Sequence, residues 1–155
     1  TLIEPIDMGK YDYLRLPRPD VWGVLMRQDD PLANLERIHP SDLQGVPLMI
    51  SRQMDQEGGL SGWLGYGSEN LKIVATGNLS HTLAMAVEEG IGCLLTLEQL
   101  VDLSGQRGLC FRPLEPKLES WMYLAWKKYQ VFTNAAEVFI HTLKENLTGI
   151  SLGAK

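Results

Sequence analysis

With 155 residues, 45% of them hydrophobic and 21% charged, the chain can bury a core, either as one domain or as two small lobes. Lys and Arg number 14 against 19 Asp and Glu, for a formal charge of −5, and no basic patch of the kind that binds DNA stands out. No apolar run approaches the length of a membrane span, and the first residues carry no signal-peptide pattern. An opening at Thr1 rather than Met fits a chain that is processed or cut from something longer.

Leu2-Ile3-Glu4-Pro5 reads as the end of a strand running into a turn. Tyr11–Leu16 alternates aromatic or aliphatic residues with charged ones, the pattern of a half-exposed strand. After a turn at Pro17-Arg18-Pro19-Asp20, Val21–Arg27 is a second apolar strand containing Trp22. Asp30 is placed to cap a short helix beginning at Pro31, and Ser41-Asp42-Leu43 starts a helical turn that Gly45 stops. Val46–Ile50 is a strand core with Ser51-Arg52-Gln53 just past its end. Residues 55–69 form a glycine-rich loop that holds Trp63 and Tyr66.

The stretch 72–100 organises the rest. Lys72–Thr76 is a short β-branched strand, and Gly77-Asn78 breaks it. Asn78 or Ser80 can cap the helix that follows, on which Leu79, Leu83, Ala86 and Val87 share one face. Gly90 suits the left-handed residue that ends a helix, and Ile91–Thr96 returns as an apolar strand. Strand, helix and strand make the crossover that builds parallel sheets, whose helix N-termini face the ligand-binding edge. Further on, Leu97–Leu103 reads as a helical turn, Ser104–Gly108 as a loop, and Leu109–Arg112 and Trp121–Lys127 as strands. Asn134 caps the last helix, with Glu137 completing a capping box. Its buried stripe is Ala136, Phe139 or Ile140, Leu143 and Leu147, and the tail from Thr148 frays.

Little in this inventory argues for catalysis, and no metal or cofactor is expected. Gly62-x-x-Gly65-x-Gly67 lacks the Lys-Ser/Thr ending of a phosphate loop. His39, His81 and His141 are far apart; His81 shares a helix face with Met85, a weak metal signal, and reads equally as pocket-lining or as exposed. Cys93 and Cys110 sit in apolar surroundings and read as buried thiols of a reducing cytosol rather than a disulfide. No Gly-x-Ser-x-Gly elbow occurs, and the adjacent Glu88 and Glu89 point about 100° apart, so they are no carboxylate pair. A pocket argument remains. Ser51, Arg52 and Gln53 end one strand while Asn78, Leu79 and Ser80 start the central helix, and a parallel α/β lobe places both groups at one sheet edge. Their hydroxyls, amides and backbone N–H groups, with the Arg52 fork, suit a small polar or anionic ligand. The same residues read equally as ordinary caps and turn formers.

Four phrases, in order, resemble the effector-binding domain of LysR-type transcriptional regulators. Val21–Ala33 looks like the crossing strand with its closing His-Pro-Leu-Ala motif, here with Asp30 in place of His. Ser41–Ile50 looks like the Asp-Leu…Pro-Leu-Ile opening of the second lobe. Leu83–Leu95 looks like the Val-x-x-Gly-x-Gly-Ile-x-Leu-Leu helix–strand, and Leu118–Lys128 with Ala135–Leu147 resembles the closing strand and C-terminal helix. The resemblance implies an α/β fold like the type II periplasmic binding proteins, two Rossmann-like lobes joined by two crossing strands. Residues 24–112 would be the complete second lobe, and residues 1–23 and 113–155 part of the first. The family's winged helix-turn-helix, its linker helix and the first units of lobe one would precede Thr1, so DNA binding is implied only for the parent protein.

By resemblance, too, the effector pocket lies between the lobes, with Ser51 and Arg52 and the run Asn78 to Ser80 at positions that face it. The implied partners are a small-molecule effector and further copies of the chain, as dimer or tetramer of the parent through the helix Leu79–Glu89. The implied role is regulatory and non-enzymatic, in the cytoplasm and away from membranes: ligand binding shifts how the parent oligomer holds DNA. A solute-binding protein of a transport system shares the fold and is the first rival. An enzyme on a related scaffold is the second.

Overall fold

The structure is a computed structural model and describes residues 2–3, 9–51, 59–65, 71–100, 103 and 108–151. It divides into two compact units, a smaller one of Thr1–Asp20 with Ser120–Lys155 and a larger one of Val21–Glu119. No helix among the described residues is long and apolar enough to cross a membrane.

Hydrophobic strands build the larger unit. Its sheet runs β5-β4-β6-β3-β7, with β3 at Asp20–Arg27, β4 at Pro47–Ser51, β5 at Lys72–Gly77, β6 at Cys93–Leu97 and β7 at Leu109–Pro113. β4 lies parallel to both β5 and β6, whereas β3 is antiparallel to β6 and β7. The sheet is therefore mixed, with the expected parallel crossover at its centre. Every residue of β6 is buried, as are Leu48, Met49 and Ile50 of β4. Burial on both sheet faces is the reason these strands read as unbroken apolar runs rather than as alternations. β5, at the sheet margin, does alternate exposed and half-buried residues.

The helix α2, Ser80–Glu88, covers one sheet face (α1 is Gly59–Leu64). It buries Leu83, Ala84 and Val87 against Leu25, Met49, Leu94 and Leu109, a cluster in which each large side chain contributes about 1.5–3 kcal/mol of transfer free energy. Gly90 ends α2 with φ +76°, a conformation that a side chain would strain. Arg27 supports this end by donating from Nη1 to the Glu88 carbonyl at 3.1 Å. Gly92 lets β6 approach β4, since a Cβ there would collide with the Pro47 carbonyl oxygen.

Two one-turn 3-10 helices, Pro31–Asn34 and Pro40–Leu43, follow β3. Asp30 caps the first as expected, its Oδ1 accepting from the Leu32 N–H at 2.9 Å. Gly45, with φ +74°, follows the second. Arg112 holds the first in place by donating to the carbonyls of Ala33 and Leu35 at 2.8 and 2.7 Å. Of the glycine-rich stretch 55–69, the described part is α1 with Gly65. Within it Trp63 donates its indole N–H to the Pro116 carbonyl. Of the helical turn expected over Leu97–Leu103, the structure describes a 3-10 turn at Glu98–Leu100, while 101–102 and, in the expected loop, 104–107 lie outside the described residues.

The smaller unit is a three-stranded antiparallel sheet in the order β1-β9-β2, with β1 at Leu2–Ile3, β2 at Tyr11–Arg15 and β9 at Met122–Lys127 (the short β8, Glu119–Ser120, pairs instead with β3). Its helix α3 spans Asn134–Ser151. Ala136, Ile140, Leu143 and Leu147 form the half-buried stripe, while Phe139 is 59% exposed, which settles the stripe on Ile140. Thr133 rather than Asn134 caps the helix, its Oγ1 accepting from the Ala136 N–H at 3.4 Å. A Thr one residue before the first helical position occupies the cap place that the capping-box pattern put at Asn134.

Candidate functional site

Register brings the two expected groups together. Ser51 pairs with Gly77, so the end of β4 and the turn into α2 share one edge of the sheet in the larger unit. Leu48 pairs with Cys93 and Met49 with Leu94, and continuing that parallel register sets Ser51 level with Thr96. This is the edge at the carboxyl ends of the parallel strands, the usual ligand side of an open α/β sheet. Trp22 of β3 pairs with Leu97 and marks the same edge. Ser51 is half-buried there, Asn78 is exposed and Ser80 is half-buried. Arg52 and Gln53 lie outside the described residues.

The start of α2 departs from expectation. Leu79, not Asn78 or Ser80, holds the N-cap position, with φ −122° and ψ 114°, and its side chain makes no capping bond. Leu79 is instead 68% exposed, and its carbonyl accepts the Leu83 N–H at 3.2 Å. Leu at this place removes the oxygen that a Ser, Thr, Asp or Asn would supply to the first-turn N–H groups. The helix therefore begins with donors that no N-cap side chain satisfies and with the positive end of its dipole, an arrangement that favours an acceptor or an anion.

Thr96 is the residue that sequence reasoning passed over. It is 3% exposed, yet it is a hydroxyl within Cys93–Leu97, otherwise an apolar run. Burying a hydroxyl without a partner costs about 1–3 kcal/mol. Thr96 Oγ1 donates to Ser80 Oγ at 3.4 Å and so joins the end of β6 to the first residue of α2. The signal that could have found it is that lone hydroxyl in a run of core residues.

The LysR substrate binding domain family matches residues 2–148, nearly the whole chain. The chain belongs to that family. Among solved structures, this LysR-family chain is similar to HinK, a LysR family transcriptional regulator from Pseudomonas aeruginosa, at 18% identity and a TM-score of 0.69, over 93% of this chain and 51% of that one. It is also similar to the QuiR effector binding domain in complex with shikimate, at 15% identity and a TM-score of 0.73, over 89% of this chain and 66% of that one. A third is the Synechocystis CcmR regulatory domain in complex with 2-PG, at 15% identity and a TM-score of 0.68, over 96% of this chain and 71% of that one. The chain thus spans about half the length of the HinK structure, and no curated protein matches it in sequence. The fold is that of the type II periplasmic binding proteins.

The remaining chemistry of this LysR-family chain lies away from the edge. Cys93, at the opposite end of β6, is buried and free, and its Sγ donates to Asp30 Oδ2 at 3.5 Å. Burial, then the Asp30 carboxylate, push its thiol up to about 12. Cys110 is free and half-buried rather than buried, and burial raises its pKa as well. Neither thiol is poised as a nucleophile, because the thiolate is the reactive form. Among the described residues no group of three His, Cys, Asp or Glu is placed to hold a metal ion.

Proposed function

We propose that this chain is the effector-binding part of a bacterial LysR-type regulator, with its ligand at the sheet edge formed by Ser51, Asn78, Leu79 and Ser80 and with Arg52 and Gln53 as further candidate contacts. The observation that carries this reading is the uncapped start of α2 beside Ser51 at the carboxyl ends of parallel strands. That geometry supports a small ligand rich in acceptor oxygens, and a carboxylate most of all. Shikimate, the ligand of QuiR, is a hydroxylated carboxylate of this kind. The role is one of binding rather than catalysis, and the setting is the cytoplasm. On this reading residues 24–112 are the second lobe of the family fold, and residues 1–23 and 113–155 belong to the first.

DNA binding belongs to a segment of the parent protein outside this chain. A ligand that binds one conformation of the parent more tightly shifts its population and so its hold on DNA. Copies of the chain associate through α2 and its surroundings, where Leu79, Met85, Ile91 and Val74 are 68, 55, 54 and 42% exposed. Large apolar side chains left exposed on and around this helix support a covered surface there.

A panel of small carboxylates including shikimate tests the site. Any member that binds should lose at least about fivefold in affinity in the double variant Ser51→Ala, Ser80→Ala, the equivalent of about one hydrogen bond. Unchanged affinity would put the pocket elsewhere.

A further inference from the structure

The smaller unit holds a groove of its own. It measures about 700 Å³ and lies between α3 and the face of β2 and β9 that the helix covers. Small-molecule sites run from about 300 to 1,000 Å³. Trp126 and Phe132 form its apolar corner, their rings 6.1 Å apart and inclined at 72°, and Ile140 of α3 adds an aliphatic wall. All three are half-buried, so part of each stays accessible.

Charge sets the ligand class. Asp12 is the register partner of Trp126, and paired residues of neighbouring strands point to the same face. Lys144 Nζ stands 5.6 Å from the centre of the Trp126 ring. An acid and a base thus flank one ring. Glu137 and His141 line the groove from the same side of α3 as Lys144, at i, i+4 and i+7, and His141 Nδ1 lies 3.4 Å from the Glu145 carboxylate. We propose that this groove binds a free aromatic α-amino acid, its ring on Phe132 and Ile140, its ammonium at Asp12 and its carboxylate at Lys144. The site is separate from the effector edge and does not depend on it.

An α-amino acid carries both charges on one carbon, so it needs an acid and a base side by side with an apolar surface next to them. A plain carboxylate or a plain amine meets one of the two and brings the other no partner. A covering protein segment fits worse. It would bury Asp12, Lys128, Glu137 and Lys144, whereas interface cores are depleted of such residues because taking a charge out of water is costly. A small zwitterion pairs two of these groups and leaves the others in water.

The test is an amide and indole NMR titration of the full chain with L-phenylalanine, beside phenylpropanoate and phenylethylamine, which lack the ammonium and the carboxylate respectively. The expected result is a saturable shift of the Trp126 indole N–H and of the amides of Asp12 and residues 132–144. Each analogue should bind at least about tenfold more weakly, the loss of one hydrogen bond to a charged group. Asp12→Asn should weaken L-phenylalanine about tenfold, and Glu137→Gln should leave its affinity unchanged. Both positions are exposed, so both variants should fold.

No saturable shift in the smaller unit, or equal affinity for phenylpropanoate, would overturn the proposal. So would weakening by Glu137→Gln with none by Asp12→Asn. The same shifts on concentrating the chain alone would overturn it in favour of a second copy as the occupant. Shifts confined to Ser51 and residues 78–82 would overturn it by assigning the amino acid to the effector edge.

Discussion

The two units of the chain hold together by different means. In the larger unit Leu25, Met49, Leu83, Ala84, Val87, Leu94 and Leu109 form a buried core between the sheet and α2. In the smaller unit Tyr123 is the one buried apolar side chain among the described residues, at 8% exposure. Ring contacts take the place of a core there. Tyr13 meets Tyr123 edge-on at 5.5 Å, Trp126 meets Phe132 at 6.1 Å, and Arg15 lies over Trp121 at 4.2 Å. A buried leucine cluster resists truncation steeply because a cavity follows, whereas a half-exposed ring pair is worth about 0.5–1.5 kcal/mol beyond its area. The proposed effector edge belongs to the unit with the leucine-rich core, which suits a site whose donors must be held in place.

The sharpest way to break this comparison is Leu94→Ala in the fully buried β6. It should destabilise the larger unit by about 2–5 kcal/mol in urea unfolding, and a loss under about 1 kcal/mol would deny that this cluster is the core. The buried thiol is a second lever, and it acts on the larger unit, where both cysteines lie. Cys93 is raised from 9.0 to about 12, so the folded chain keeps its proton while the unfolded chain gives its proton up. The stability this contributes is complete below pH 9 and is lost as pH rises from 9 toward 12. Unfolding free energies measured at pH 8, 9 and 10 should fall, and Cys93→Ala should flatten the slope (values chosen about the ordinary thiol range).

In the smaller unit Trp126→Leu should cost about 0.5–1.5 kcal/mol, read as faster hydrogen exchange in β2 and β9 with β4 and β6 unchanged. The smallest effect belongs to Arg37→Ala, which removes the exposed 2.9 Å ion pair with Glu115 and should shift stability by about 0–1 kcal/mol, less at high salt.

Legibility in the sequence followed the same division. β3, β4 and β6 were readable because burial on both faces leaves continuous apolar runs, and Gly90 marked the end of α2 because its φ of +76° admits few other residues. The edge was readable as far as a strand–helix–strand unit dictates: Ser51 and the start of α2 had to meet. What did not show was conformation decided by tertiary packing. Leu79 takes an N-cap position against its own propensity, and Thr133 caps where Asn134 looked better placed. Thr96 was hidden because a single hydroxyl in an apolar strand gives no period, and its partner Ser80 lies 16 residues back along the chain.

The most direct test of the central claim is an amide NMR titration of the chain with shikimate and a series of other small carboxylates. The account predicts that a binder moves the amides of Ser51, Gly77 to Thr82 and Thr96 and leaves those of α3 and β2 in place. Shifts that gather in the smaller unit, or no saturable shift at the edge from any member of the series, would contradict it.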